Sequence, residues 1–265
     1  MTPLALPGEF LAIALAVMLL GLRHGFDADH LAAIDGMTYH NVQHRPALAR
    51  ACGALFSMGH GAVVVAVALA VSLLAGTWHP PAWLAAVGAG SSIAVLVALG
   101  VLNLASVFRT PRGELVRVRG WRSSGFARLL RAGDPVSVMA VGSLFAISFD
   151  TLSLAVLFAM TARQFAGWPS ALALGLLFTF GMLLCDGVNG YWISRLIQSS
   201  HRSSRVAART MAVAVAGISL GTAALALAAL LMPAAVGWTE GKELWFGSAI
   251  VALVGLGFVV GRRLA

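Results

Sequence analysis

Six ionisable side chains fall within thirteen residues of an otherwise apolar stretch: Arg23, His24, Asp27, Asp29, His30 and Asp35. Imidazole nitrogens combined with carboxylate oxygens suit borderline divalent ions such as Ni²⁺, Co²⁺ and Zn²⁺, whereas Mg²⁺ and Ca²⁺ favour oxygen alone and Cu⁺ favours sulfur. A regular helix would place four of these side chains on one face: His24, Asp27, His30 and Asp35. Asp29 would point away unless the helix is locally distorted, and Arg23 can reach Asp27 one turn further on. The stretch predicts a transition-metal site.

Five more polar side chains recur in later apolar stretches: Ser57, His60, Asp150, Asp186 and Asn189. A single buried histidine is more often a hydrogen-bonded core residue than a ligand, but the two histidines of the first stretch favour a ligand role for His60. Apart from Arg50 at the very end of one stretch, Arg23 is the one arginine or lysine inside the apolar stretches, and it cannot pair with every carboxylate. A bound divalent cation would balance the rest.

The elements that carry these residues are predicted to be membrane-spanning helices. Of the 265 residues, 59% are hydrophobic and only 11% are charged, against about 25% charged in soluble domains. Since a span needs roughly 20 apolar residues, we predict one all-α membrane domain over residues 1–265 with seven spans. They cover about 10–37, 49–74, 83–108, 136–161, 169–194, 210–232 and 244–261.

Arginine placement predicts the orientation. Arginines collect in the loops after spans one, three and five and in the C-terminal tail, whereas the other loops hold only Arg163 and Lys242. Positively charged loops stay in the cytoplasm, so the N-terminus is expected outside, the C-terminus inside and segment 109–135 as a basic cytoplasmic loop. We expect the protein to lie in the cytoplasmic, or inner, membrane, in contact with the lipid bilayer. The net charge of +8 then reflects this topology and does not indicate binding to nucleic acid.

A short internal similarity predicts two related halves. Residues 26–27 read FD and are followed by FSMG at 56–59, and residues 149–150 read FD and are followed by FTFG at 178–181. Because each half holds three spans, the second half starts from the opposite side of the membrane. We therefore expect spans one to three and four to six to form an inverted repeat with the site at their interface.

The motifs resemble those of the nickel/cobalt transporter family. Its His-x4-Asp-His signature is similar to residues 23–35, RHGFDADHLAAID, and its later motifs are similar to FSMGHGAVV at 56–64, FDT at 149–151 and GMLLCD at 181–186. The resemblance implies uptake of Ni²⁺ or Co²⁺, with His24, Asp29 and His30 central and His60, Asp150 and Asp186 contributing. Relative to the family, one N-terminal helix is expected to be absent, an acid after Asp150 is missing, and Asn189 stands where an Asp is usual.

We expect a secondary permease and not an enzyme, with no prosthetic group and a divalent metal ion as its cargo. No Gly-x4-Gly-Lys-Ser/Thr motif is present, so ion gradients or the membrane potential would drive transport. One alternative is an intramembrane zinc hydrolase of the alkaline-ceramidase type, which would require two histidines that the last span lacks. Others are a metal exporter or a metal sensor, since these ligands do not encode direction.

Overall fold

The computed structural model describes residues 7–74, 82–110, 133–147, 149–203, 205–232, 234 and 242–263. In these ranges the chain forms nine principal helices: α1 (Pro7–His24), α2 (Ala28–Asn41), α3 (Pro46–Leu73), α4 (Ala82–Arg109), α5 (Pro135–Phe145), α6 (Phe149–Ala162), α7 (Trp168–Ser203), α8 (Arg205–Leu231) and α9 (Glu243–Arg263). Most of the predicted 109–135 loop lies outside the described residues.

Several of the helices are long and apolar enough to cross a membrane. Among the described residues these are α3, α4, α7 and α8, with a fifth span if α1 and α2 are counted together, and α5, α6 and α9 contain shorter apolar helices. The predicted all-helical, polytopic membrane class is confirmed. All seven predicted spans fall on helices, but two of the seven are each divided between two helices.

The prediction of one continuous helix over residues 10–37 is wrong at residues 25–27, where α1 and α2 meet at a bend of 55°. The helix tightens as Phe26 N donates to Arg23 O at 2.9 Å and Asp27 N to His24 O at 3.1 Å. Asp27 is then extended, with φ −67° and ψ 146°, and precedes α2 as its N-cap residue. Glycine has a low helix propensity and aspartate favours the N-cap, so Gly25 and Asp27 supply the local reason for the break.

The predicted span 136–161 is also divided. It comprises α5 and α6, which are separated by residues 146–148. The two FD pairs of the sequence therefore both lie at helix breaks. Phe26 and Asp27 lie between α1 and α2, and Phe149 and Asp150 lie at the start of α6. Broken helices inside a membrane protein are tolerated where protein or a cavity surrounds them.

Helix α2 is the buried centre of the bundle. Residues 30–39 are all buried, and α2 packs against α3, α4, α7, α8 and α9. The most extensive packing joins α3 to α7, α4 packs along α8, and α9 packs on α8. The first broken span is therefore held mainly by protein and is shielded from lipid along its second half.

Glycines bring α1 and α7 into close contact. A Cβ added to Gly21 of α1 would collide with the carbonyl oxygen of Phe178 in α7. In return, a Cβ on Gly181 of α7 would collide with the carbonyl oxygen of Met18. Only glycine fits at either position, which lets the two helices approach through their backbones.

The contact between α5 and α3 repeats this arrangement. A Cβ on Gly142 of α5 would collide with the carbonyl oxygen of Phe56 in α3, and one on Gly59 of α3 would collide with that of Met139. The first pair combines Met-x-x-Gly on α1 with Phe-x-x-Gly on α7, and the second combines Met-x-x-Gly on α5 with Phe-x-x-Gly on α3. The same two motifs thus make the same reciprocal contact twice, each time between one half of the chain and the other.

Polar contacts at one end of the bundle fix the start of α5. Asp134 is the N-cap residue: its Oδ1 accepts from Ser137 N at 2.9 Å and its Oδ2 from Ser137 Oγ at 2.7 Å. These hydrogen bonds hold the pKa of the Asp134 carboxyl below its ordinary range. Arg45, before α3, donates to the carbonyl oxygen of Gly133, so the starts of α3 and α5 lie at the same end.

Replacing Asp134 with alanine is expected to destabilise the protein by about 1 kcal/mol, because the amide of Ser137 loses its cap. Thermal unfolding in detergent measures this, with Asp134→Asn as the matched control that keeps a capping oxygen. Because the folded-state pKa is lowered, the advantage of the charged cap is present at neutral pH and decreases as pH falls below about 4. Equal stability of Asp134→Ala and wild type at pH 7 would contradict this role.

Candidate metal centre

Three histidines from three helices meet in the interior. His24 ends α1, His30 lies in the first turn of α2 and His60 lies near the middle of α3. Their ring centroids are 4.7 Å (His24–His30), 5.3 Å (His24–His60) and 4.8 Å (His30–His60) apart. One ligand nitrogen from each ring lies within 4.8 Å of the others. The sequence-predicted histidines are therefore brought together.

These separations suit a single transition-metal ion after a small inward movement. A ligand nitrogen lies about 2.0 to 2.1 Å from Zn²⁺, and two nitrogens on one ion of similar size are then roughly 3 to 4 Å apart. The break at residues 25–27 contributes directly, because it allows His24 and His30 to approach from differently directed helices.

Two carboxylates each contact one of the imidazoles. Asp27 Oδ2 lies 2.8 Å from His24 Nδ1, and Asp186 Oδ2 lies 3.3 Å from His30 Nδ1. Ser57 Oγ donates to the same oxygen of Asp186 at 2.7 Å. A carboxylate on one ring nitrogen orients the imidazole and leaves Nε2 to bind an ion, which is the usual arrangement around metal-binding histidines.

Thr151 joins the centre from the first turn of α6. Its Oγ1 lies 3.5 Å from His24 Nε2 and 3.4 Å from His60 Nε2. This residue was not among the sequence-predicted site residues, although it follows Asp150 in the FDT motif. A hydroxyl both donates and accepts, so Thr151 can bridge two rings, a role that only the packing of α6 reveals.

Two buried polar atoms at the centre have no hydrogen-bond partner among the described residues. They are His60 Nδ1 and Asp186 Oδ1, and both residues are 0% exposed. Leaving such atoms unsatisfied costs about 1 to 3 kcal/mol each, and more for charged groups. A bound cation or its water shell would satisfy them.

Phenylalanines enclose the histidines. Phe56 and Phe145 lie 4.9 and 6.4 Å from the His30 ring, and Phe178 lies 5.5 Å from the His24 ring, measured between centroids. All three are almost fully buried. Such apolar walls limit solvent access and strengthen the interaction of a cation with its ligands.

A cavity of about 390 Å³ adjoins the centre, between α1 and α6. Its polar lining is Arg23, His24, Asp27 and Ser153. His24 and Asp27 also belong to the cluster, and their side chains are 14% and 22% exposed, so the cavity reaches the cluster at His24.

The remaining sequence-predicted residues lie around this centre. Asp29 is half-buried and its Oδ1 accepts from His30 N at 2.9 Å. Asp35 is buried and accepts from Asn189 Nδ2 at 3.2 Å, one turn beyond Asp186 on α7. We expected residues 24, 27, 30 and 35 to share one face of an unbroken helix. Because the helix is broken at residues 25–27, helical spacing no longer relates these four side chains. The side chain of Asp150 lies outside the described residues.

Fold and centre together define a polytopic membrane protein whose interior holds a cluster of potential metal ligands. Residues 10–260 match the family described as high-affinity nickel-transport protein, NicO. The chain belongs to this family, as its motifs predicted. A family of transport proteins also argues against the zinc hydrolase alternative.

Characterised relatives are similar over about two thirds of the chain. The nickel transporter NicT of Mycobacterium tuberculosis is 31% identical over 224 residues, covering 69% of this chain and 57% of its own length. The high-affinity nickel transport protein of Cupriavidus necator is 33% identical over 208 residues (68% and 58%), and the cobalt transport protein NhlF of Rhodococcus rhodochrous 29% over 217 (69% and 59%). The chain thus spans somewhat over half the length of these relatives. No solved structure matches.

Proposed function

We propose that this chain is a secondary permease that carries Ni²⁺ or Co²⁺ into the cell across the cytoplasmic membrane. The observation that carries the proposal is the convergence of His24, His30 and His60, whose ligand atoms lie within 4.8 Å of one another. The names of the relatives, nickel and cobalt transport proteins, support the same cargo.

In this proposal the three imidazoles bind the ion directly. Asp27 and Asp186 act through their contacts with His24 and His30, and Asp186 Oδ1 is available to the ion or its waters. Asp150 and Asp29 remain predicted contributors. Three nitrogen donors with few carboxylates favour Ni²⁺ and Co²⁺ over Mg²⁺ and Ca²⁺, so an excess of Mg²⁺ is not expected to compete.

The proposed topology has seven spans, with α1–α2 and α5–α6 each counted as one broken span. The matching contacts of Gly21 with Phe178 and Gly142 with Phe56 support an inverted repeat. Its two halves would rock about the histidines and expose them to either side in turn. A membrane potential of 100 mV, negative inside, would favour inward movement of a dication by about 4.6 kcal/mol, at 2.3 kcal/mol per charge.

Metal accumulation tests this function. Cells or proteoliposomes containing wild-type protein should accumulate radiolabelled Ni²⁺ or Co²⁺, whereas His24→Ala and His30→Ala should not. His44 is an exposed histidine outside the cluster. His44→Ala is therefore the matched control and should accumulate the metal as wild type does. Equal accumulation by all variants would refute the proposal, and accumulation only in the opposite direction would favour an exporter.

Asp186→Asn is expected to lower the affinity for Ni²⁺ about 10- to 100-fold, because the carboxylate that orients His30 is lost. Titration of the purified protein measures the affinity. X-ray absorption of the Co²⁺-loaded protein should still count three imidazoles, which separates a positioning role from direct ligation. Loss of an imidazole from the count, or unchanged affinity, would contradict this role.

A further inference from the structure

A second polar pair lies beyond the histidines, on the contact between α2 and α7. Asn189 Nδ2 donates to Asp35 Oδ1 at 3.2 Å. His30 contacts Asp186 on the same two helices, so the contact continues five residues further along α2 and three along α7. At 1.5 Å per residue this is a displacement of about 5 to 8 Å. Both helices therefore run in the same direction here, towards Asn41 and Ser203.

An ionised Asp35 would be poorly compensated by its surroundings. Its side chain is 2% exposed, and in the described part of the chain its one hydrogen bond comes from the neutral amide of Asn189. An ionised carboxylate offers about four acceptor positions, and a buried charge requires a partner charge or a metal. With the Asn189 amide turned so that its oxygen in place of Nδ2 faces Asp35, the two side chains would supply oxygen ligands for a cation.

Protein encloses Asp35, and Asn189 is half-buried beside it. A Cβ on Gly190 would meet the backbone of Gly53 at 2.8 Å and the Ile34 side chain at 3.5 Å. Helices α2, α3 and α7 therefore meet beside Asn189. Asp186 Oδ1, which has no partner among the described residues, lies one turn earlier on α7. A cation leaving the histidines along this contact would pass from one carboxylate to the next.

We propose that Asp35 and Asn189 form a second, weaker oxygen site that the cation occupies after it leaves the histidines on its way to the inner end of the bundle. The inference rests on the proposed transport function. Oxygen ligands hold Ni²⁺ and Co²⁺ less well than imidazoles do. A weaker neighbouring site aids release, because transport requires binding strong enough to capture the ion and weak enough to let it go.

The test compares Asp35→Asn with the exchange variant Asp35→Asn/Asn189→Asp, which keeps one carboxylate and one amide but swaps their helices. Purified protein in detergent is titrated with Co²⁺ and followed by its visible spectrum, and Ni²⁺ uptake is measured in proteoliposomes. Asp35→Asn should bind Co²⁺ at the histidines within about threefold of wild type but take up Ni²⁺ at least about tenfold more slowly. The exchange variant should recover uptake to within about threefold of wild type.

Wild-type uptake by Asp35→Asn would overturn the second site, because a purely structural hydrogen bond survives as an amide pair. Failure of the exchange variant to recover would also overturn it. Asn189→Asp provides an independent check: a second carboxylate should allow a second equivalent of Co²⁺ to bind, and one equivalent only would contradict the proposal. No Ni²⁺ uptake by wild type would instead refute the transport function, and the second site with it.

Discussion

Replacing His30 with alanine is expected to lower the affinity of the purified protein for Ni²⁺ at least about 100-fold. A lost ligand should cost more than the 10- to 100-fold typical of a lost supporting residue. His30 contacts both other histidines and Asp186, so the variant also leaves the Asp186 carboxylate without its histidine. Isothermal titration with Ni²⁺ in detergent measures the affinity.

His44→Ala is the control for that experiment, because His44 is an exposed histidine that lies before α3. It should bind Ni²⁺ as wild type does. His60→Ala should lower the affinity for Ni²⁺ as His30→Ala does, since His60 is 0% exposed and supplies the third ring. An unchanged affinity in both cluster variants would show that the ion binds elsewhere in the protein.

Replacing Gly53 with alanine is expected to destabilise the protein by about 1 to 3 kcal/mol, the usual cost of overpacking a core. A Cβ at this position would collide with the carbonyl oxygen of Asp186, and a helix backbone cannot move aside as a flexible side chain can. The collision also displaces Asp186 from His30, so affinity for Ni²⁺ should fall together with the melting temperature.

Gly217→Ala on α8 is the matched control, because nothing lies within 4 Å of a Cβ placed there. Alanine is favoured over glycine in a helix by about 0.5 to 1 kcal/mol, so this variant should be as stable as wild type or more so. The two substitutions are thus expected to have opposite signs. A melting temperature for Gly53→Ala equal to that of Gly217→Ala would show that the contact between α3 and α7 is looser than described.

The sequence predicted where the apolar helices lie and which ionisable side chains they contain. Transfer of apolar side chains into lipid depends on composition along the chain, so runs such as 49–74 and 210–232 correspond closely to α3 and α8. Ionisable residues in such runs are costly, which drew attention to His24, His30 and His60 before any contact was known.

The sequence was less informative about which side chains share a face, because that depends on an unbroken helix. Angles of 100° per residue relate His24 to Asp35 only if no break intervenes, and α1 ends at His24. Gly25 and Asp27 carried the signal of an interruption, but such signals are weak beside the apolar pattern of a membrane span. The tightened hydrogen bonds at Phe26 and Asp27 then redirect the chain into the interior.

What the sequence determined by itself is the class of the protein, the placement of its apolar helices and the set of side chains able to bind a transition metal, since these depend on local composition. Which of them meet was decided by tertiary structure alone. Thr151 bridges His24 and His60, and Asp186 pairs with His30. Each of these contacts joins residues more than ninety positions apart. Such contacts depend on how glycine-lined helices pack, which no spacing along the chain specifies.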